Sequence, residues 1–211
     1  MMQKNGSFQT NVFINCPFDT IYKPFLQALL FTVIYSGLEP RIASERSDSG
    51  EIRVDKIKTL IKESRYSIHD ISRMEPLGKR DMPRFNMPFE LGLDLGCRAF
   101  GIEHLCQKKC LILEKRKYRY RKVLSDISGN DIRAHNNNVE KLVRHVRNWI
   151  YENINSQVQA ATQIWQRYNE FYAYFERTLK EFGFTKKDIE EMPVNEFIDY
   201  LKSWRLSSQR F

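Results

Sequence analysis

The chain has 211 residues, of which 42% are hydrophobic, and it carries a formal net charge of +8. This length allows one good-sized domain with an appendage, or two small domains, and the hydrophobic content excludes wholesale disorder. No run of about 18 apolar residues is present that would span a membrane, and the polar N-terminus lacks a signal-peptide core. Four irregularly spaced cysteines argue against a secreted disulfide framework, so we expect a reduced, cytoplasmic protein that does not bind membranes.

The first three quarters of the sequence alternate short apolar runs with helical patterns. The predicted strands are residues 11–15, 40–44, 65–71 and 110–114. The predicted helices are residues 22–35, residues 52–63, a helix that contains Glu90 and ends near residue 100, and residues 139–153. Strands separated by helices indicate right-handed crossovers, so this pattern predicts an α/β fold with a parallel sheet flanked by helices.

The character of the sequence changes after residue 155. Aromatic residues recur at helical spacing over residues 164–184, and residues 193–204 form a last amphipathic pattern. We therefore predict an α/β domain over residues 1–155 and a helical C-terminal extension over residues 156–211. We expect the extension to pack on that domain or on a second subunit, because an aromatic stripe of this kind is usually core.

Residues 84–93 read Arg-Phe-Asn-Met-Pro-Phe-Glu-Leu-Gly-Leu and place Glu90 near the start of a helix. Pro88 is tolerated in a first helical turn, so Glu90 is expected within the first two turns. A carboxylate there faces the positive end of the helix dipole, which keeps it ionised. The simpler alternative is that Glu90 only complements the end of its own helix.

The order of these segments resembles the Toll/interleukin-1 receptor (TIR) domain. Residues 12–15 followed by Asp19 resemble its first strand and acidic loop, and residues 39–50 resemble its second strand and the loop that follows. Residues 52–61 and 65–70 match its next helix and third strand. In enzymatic members a glutamate on the following helix is the catalytic residue of NAD cleavage, and Glu90 falls at that place.

The run of residues 89–92, Phe-Glu-Leu-Gly, is also similar to nucleoside 2-deoxyribosyltransferases, which share the flavodoxin-like topology. The whole pattern, over residues 10 to about 150, resembles a bacterial TIR-like group that carries the run of residues 84–92. The sequence departs from the usual TIR helix before the glutamate, where Asn86-Met87-Pro88-Phe89 replaces a small or hydroxyl residue and a cysteine or tryptophan. This departure bears on the identity of the substrate more than on the fold.

The resemblance implies an N-glycosidase that cleaves NAD or a related nucleotide, with NAD as substrate and no separate cofactor. A carboxylate beside a ribosyl C1′ stabilises an oxocarbenium-like transition state or traps it covalently, and Glu90 takes this role. A purine or pyrimidine leaving group would also need a proton donor, for which Asp70, or His69 beside it, is the candidate. His69 is more simply interpreted as a core histidine, because it alternates with Ile68 and Ile71.

We expect substrate contacts from the loops at the carboxyl ends of the strands, where parallel sheets bind ligands. Arginines there are candidate phosphate clamps, and asparagine and serine are candidate partners of ribose hydroxyls. Each of these residues could instead serve solubility, a local ion pair or an ordinary turn. The predicted contacts are Asn15, Phe18, Ser44, Arg46, Asp48, Arg73, Arg84 and Asn86.

By family analogy the setting would be bacterial antiphage defence or signalling, with a homo-oligomer and an activating partner protein or nucleotide signal. A second hypothesis is a non-catalytic module that binds a nucleotide or assembles with like domains. A third, weaker hypothesis is a nucleic-acid-binding protein or nuclease that uses the basic run 115–122, where six of eight residues are Lys or Arg and Tyr118 and Tyr120 could stack bases.

Two segments resemble metal sites only superficially. His104, Cys106 and Cys110 lack the second ligand pair of a zinc site, so we predict no metal there. Residues 125–135 are polar enough to complete a nucleotide site or a nuclease-like metal cluster, but a surface loop is the default interpretation.

Overall fold

The structure is a computed structural model, and it describes residues 7–74, 76, 78 and 81–208. The strands are β1 (Asn11–Asn15), β2 (Glu39–Arg41), β3 (Tyr66–Asp70), β4 (Lys109–Glu114) and β5 (Arg133–Ala134). The α-helices are α1 (Lys23–Tyr35), α2 (Arg53–Lys62), α3 (Asn86–Phe100), α4 (Val139–Asn153), α5 (Ala161–Glu181), α6 (Lys186–Glu191) and α7 (Val194–Ser208). None of the helices in the described ranges is long and apolar enough to cross a membrane.

The five strands form one sheet in the order β2-β1-β3-β4-β5, and every neighbouring pair is parallel. This is the strand order of flavodoxin-like folds, and it confirms the predicted α/β class. In register, Asn15 lies opposite His69, and Asp70 lies opposite Leu113. The carboxyl ends of β1, β3 and β4 therefore meet at one edge of the sheet.

Helix α1 lies between the sheet and the C-terminal helices. Every residue from Phe25 to Ile34 is buried, because one side of the helix packs on the sheet and the other side packs on the C-terminal helices. The ring of Phe31 lies 5.5 Å from Tyr168, 5.7 Å from Phe171 and 5.9 Å from Trp204. The predicted C-terminal extension therefore packs on the α/β part of the same chain and shares its largest hydrophobic cluster.

The second predicted strand is shorter than expected. It ends at Arg41, and residues 43–45 form a 3-10 turn instead of continuing the strand. Glu45 closes this turn, because its carboxylate accepts hydrogen bonds from the Arg41 guanidinium at 2.7 Å and from the Ile42 amide at 3.2 Å. A side chain that bonds the backbone three residues back favours a turn over a strand.

The default interpretation of residues 125–135 as a surface loop is wrong at its C-terminal end. Arg133–Ala134 form β5 beside Leu113 and Glu114, and His135 is 1% exposed. Two half-buried residues give no alternating pattern, so the sequence carries no strand signal there. Asp126 and Asp131 are exposed, as expected of a loop.

Candidate functional site

Glu90 lies in the second turn of α3, at the carboxyl edge of the sheet, as predicted. Its side chain is 5% exposed. The Arg53 guanidinium at the start of α2 approaches Oε1 only to 3.5 Å. The Asn86 side chain, in the first turn of α3, also acts on this carboxylate and lowers its pKa. Arg53 itself is 61% exposed, so it borders the carboxylate from the solvent side.

The environment of Glu90 disfavours its charged form. Burial raises the pKa of Glu90 above its usual value, and the positive charge of Arg53 and hydrogen bonds from Arg53 and Asn86 only partly oppose this. A buried carboxyl with a raised pKa at the ligand-binding edge of a parallel sheet is a candidate functional group. Glu90 is therefore the centre of the candidate site.

A buried polar network holds α3 against the sheet one turn beyond Glu90. Asp94 accepts hydrogen bonds from Ser67 and from His69 Nε2 at 3.1 Å, and its other oxygen lies 3.1 Å from the ammonium of Lys108. Although burial raises it, the pKa of Asp94 is lowered to about 2 by His69, Lys108 and Ser67. Asp94 is therefore an ionised structural carboxylate.

Asn15 extends this network toward the site. Its amide donates to His69 Nδ1 at 3.0 Å and to the Met87 carbonyl in the first turn of α3 at 2.9 Å. Both protons of the amide are thereby used, so Asn15 positions α3 and has no free donor for the ribose hydroxyl that we expected it to bind. His69 is fully buried, as predicted, but its partners are side chains rather than backbone groups.

Lys108 is the cation of the network. Its ammonium donates to the carbonyls of Ile61, at 2.8 Å, and of Ser64, at the end of α2, in addition to its ion pair with Asp94. His69, Asp94 and Cys110 place possible metal ligands within 4.8 Å of one another. Since Lys108 already balances the charge of Asp94, we assign this cluster to an ion-pair network.

We expect Lys108→Met to destabilise the protein by about 3–5 kcal/mol, because it leaves the buried Asp94 carboxylate without its cation. The folded pKa of Asp94 is depressed, so its stabilising contribution is present above the unfolded pKa and is lost as the pH falls toward about 2. In the variant this loss should begin at higher pH. Chemical denaturation between pH 3 and 7 measures both effects, and the exposed neighbour in Lys109→Met is the matched control.

Asp70 does not have the environment expected of a proton donor. It is fully buried, and its oxygens accept from the Tyr22 hydroxyl at 2.6 Å and the Ser72 amide at 2.9 Å, while His135 Nε2 lies at 3.2 Å. Burial raises its pKa, but the hydrogen bonds and charge of His135, with Ser72 and Tyr22, lower it overall. Asp70 therefore joins β3 to α1 and to the segment after β5, and does not face a cleft.

Arg73 also differs from its predicted role as a phosphate clamp. It is 6% exposed, and its guanidinium binds Asp19 at 2.9 Å and Asp81 at 2.8 Å. This arrangement links the loops that follow β1 and β3. Arg84 is exposed, so its side chain can reach a ligand. Its backbone amide donates to the Arg73 carbonyl at 2.8 Å.

The remaining predicted contacts lie in the loop after β2 and at the start of α3. Ser44 is exposed, and the guanidinium of Arg46 pairs with Glu51. Asp48 accepts from the Gly50 amide at 2.9 Å within its own loop. Asn86, by contrast, is the predicted contact that the structure brings directly to Glu90.

Exposed apolar side chains at this edge of the sheet are a feature that the sequence analysis missed, apart from Phe18. They come from the loop after β1, the start of α2, the loop before α3 and the first turns of α3. We call them the apolar rim: Phe18, Ile21, Ile52, Met82, Phe85 and Phe89, each 42–75% exposed. Phe85 and Phe89 are four residues apart, a spacing that places both on one face of a helix. This spacing is the signal in the sequence that indicates an exposed apolar face beside Glu90.

The structure thus gathers Glu90, Arg53 and Asn86 at the carboxyl edge of the sheet, with Asn15 and His69 beneath them. Arg53 was not among the predicted residues, because nothing in the sequence around it distinguishes it from other surface cations. Comparisons with protein-family models, with curated proteins and with solved structures find no match for this chain.

Proposed function

We propose that the protein is an N-glycosidase that cleaves the glycosidic bond of NAD or a related nucleotide, with Glu90 as the catalytic carboxylate. One observation carries the proposal. Three carboxylates lie at this part of the sheet: Glu90, Asp70 and Asp94. Asp70 and Asp94 have close hydrogen-bond partners and lowered pKa values. Glu90 has a raised pKa, and its contact with the Arg53 guanidinium is long, at 3.5 Å. Such a separation of roles among neighbouring carboxyls is typical of catalytic sites.

The chemistry that Glu90 can supply restricts the substrate. An ionised carboxylate beside C1′ stabilises the oxocarbenium-like transition state or forms a covalent intermediate, and Arg53 helps to keep Glu90 ionised. Asp70, buried and with a lowered pKa, is not suited to protonate a leaving base. Nicotinamide leaves NAD as a neutral molecule without protonation, so the site favours NAD-like substrates over ordinary purine or pyrimidine nucleosides.

The test is incubation of the full chain, at low and high protein concentration, with NAD, NADP and a panel of nucleosides and nucleotides. Chromatography of the products would detect free nicotinamide or free base. We expect nicotinamide release from NAD or NADP and no base release from the nucleosides. Release of bases from nucleosides but not from NAD would contradict the substrate class, and no release at any concentration would contradict the enzymatic proposal.

Arg53 provides a prediction about pH. Since Glu90 acts as a carboxylate, kcat/KM should rise with pH through the raised pKa of Glu90 and then level off. Arg53→Ala removes a cation that lowers this pKa, so the midpoint of the rise should move to higher pH. The exposed Lys58 of the same helix supplies the control Lys58→Ala, whose midpoint should stay in place. An unchanged midpoint in Arg53→Ala would contradict the electrostatic assignment.

The apolar rim favours a second candidate function, assembly with further copies of the chain. Several large apolar side chains exposed at one edge of a fold are typical of interaction surfaces. We expect Phe85→Ser/Phe89→Ser to lower the association constant of any self-assembly that sedimentation velocity detects in the wild type. Phe182→Ser, at a 72% exposed position after α5, should not. Self-assembly together with nicotinamide release would show that the protein both assembles and cleaves the nucleotide. Self-assembly without nicotinamide release would favour a non-catalytic module.

A further inference from the structure

A cleft of about 120 Å³ lies at the carboxyl ends of β3 and β4, next to the basic run 115–122. Among the described residues, four of the side chains that line it are cationic: Lys115, Arg116, Arg119 and Lys122. We call it the basic cleft. None of the residues at the centre of the Glu90 site lines it, so it is a separate feature of the same sheet edge.

Glu114, a carboxylate that lines the basic cleft, is already engaged by the backbone. It is 2% exposed and accepts hydrogen bonds from the amides of Tyr118, at 2.8 Å, and Tyr120, at 3.4 Å. These bonds fold the basic run around the end of β4, and Tyr118 takes a left-handed backbone conformation with φ of 68°. Glu114 thus organises the loop that presents the cations.

Five of the six basic residues of the run fall into two groups. Within the described part of the chain, Lys115, Arg116 and Lys122 form no ion pair with a carboxylate. Lys117 and Arg121 instead approach the ring of Tyr118, at 4.7 Å and 4.3 Å from its centroid. The first group therefore brings to the basic cleft positive charge that no ion pair among the described residues offsets.

The walls of the basic cleft differ in polarity with depth. Ile71, Met74 and Tyr120 line it and are at most 9% exposed, so they form its deeper part. Arg116, Arg119 and Lys122 are exposed and surround its mouth. A ligand with a phosphate group and an apolar carbon portion matches this arrangement, because guanidinium and ammonium groups bind phosphate oxygens while apolar surface is removed from water.

We propose that the basic cleft is a second ligand site, which binds the phosphate or diphosphate group of a small organic phosphate. The inference does not depend on catalysis at Glu90. A nucleic acid is the less suitable occupant, because Tyr120 is buried and the half-exposed Tyr118 ring is already contacted by Lys117 and Arg121, which compete with stacked bases for it. The stacking role that the sequence suggested for Tyr120 is thereby ruled out.

Isothermal titration calorimetry on full-length Glu90→Gln protein tests this site without turnover. The probes are ADP, inorganic pyrophosphate, adenosine and a single-stranded 20-nucleotide DNA. We expect ADP and pyrophosphate to bind and adenosine to bind at least about tenfold more weakly than ADP, because the phosphates supply the charged contacts. Arg116→Ala/Lys122→Ala should weaken ADP binding by about tenfold or more.

The matched control is Lys186→Ala/Lys187→Ala, which removes the same amount of charge from the exposed helix α6. It should leave ADP binding unchanged. Three results would overturn the proposal. The two double variants could weaken ADP binding equally, adenosine and ADP could bind with equal affinity, or Arg116→Ala/Lys122→Ala could leave ADP binding unchanged. Tight, salt-sensitive binding of the DNA without binding of ADP would also overturn it, and would instead assign the cations to a polyanion.

Discussion

Glu90→Gln is expected to lower kcat/KM for the cleaved nucleotide by about a hundredfold or more, with the fold retained. The amide has nearly the shape of the carboxylate and keeps its place beside Arg53 and Asn86. It cannot supply the negative charge that stabilises the oxocarbenium-like transition state. Product chromatography with the substrate that the wild type cleaves measures the loss.

The same substitution has an expected effect on stability that a purely structural glutamate would not show. The pKa of Glu90 is higher in the folded state than in the unfolded state, so the folded state binds the carboxyl proton more tightly. Ionisation of Glu90 therefore destabilises the fold as the pH rises from the unfolded pKa through the folded pKa. Glu90→Gln should therefore leave the free energy of unfolding at pH 7 equal or higher. Loss of activity with retained stability is the pattern of a functional residue.

Glu181→Gln is the matched control, because Glu181 is 69% exposed at the end of α5, away from the site. It should change neither activity nor stability measurably. Full activity in Glu90→Gln would exclude Glu90 as the catalytic carboxylate. A large loss of stability in Glu90→Gln would instead indicate that Glu90 chiefly supports its own helix.

Removal of residues 156–211 should prevent the remainder from folding to a soluble, cooperative unit. Helix α1 is buried on both sides, so the truncation would expose an apolar face that includes Phe31. Solubility after expression and the cooperativity of thermal unfolding measure this. A soluble fragment 1–155 with cooperative unfolding would show instead that the division predicted from the sequence separates two independent domains.

A single substitution tests the same packing in the full chain. Phe171 is fully buried and lies 5.7 Å from Phe31 and 5.4 Å from Trp204, so Phe171→Ala should cost about 3–5 kcal/mol. Phe182→Ala, at a position that is 72% exposed, should stay within about 0.5 kcal/mol of the wild type. Denaturant unfolding of both variants gives the comparison.

The apolar pattern was sufficient for two of the elements. Residues 11–15 and 139–153 were predicted with the bounds that the structure has, the first from a short apolar run that ends in a loop signal and the second from a helical period. The 3-10 turn of residues 43–45 and strand β5 were missed, since each depends on hydrogen bonds to side chains or strands elsewhere. Short elements of this kind have too few residues to show a period.

The candidate site was predictable to the extent that it follows from topology. The position of Glu90 on a helix at the carboxyl edge of a parallel sheet was read from the order of the elements. The partners of Asp70 and Arg73 were not, because Tyr22, His135 and Asp19 are distant in sequence. Hydrogen bonds and ion pairs between residues distant in sequence decide whether a polar side chain is available to a ligand or already has its partners within the protein.

The one signal that could have revealed the network beneath the site is Asp94. It lies four residues after Glu90 and therefore on the same side of α3, a side that also carries Met87 and Leu91 toward the core. A carboxylate on a buried face requires a partner, and the lysine just before β4 was available to supply it.

The double-sided burial of α1 has a consequence for how the protein is made. During synthesis the first helix leaves the ribosome long before α5 and α7 exist, and the strands β3 to β5 emerge in between. For that interval its outer apolar face has no partner within the nascent chain, and exposed faces of this kind promote aggregation and chaperone binding. Folding yield in the cell should therefore depend on translation speed over the stretch from residue 35 to residue 208, in addition to the stability of the finished molecule.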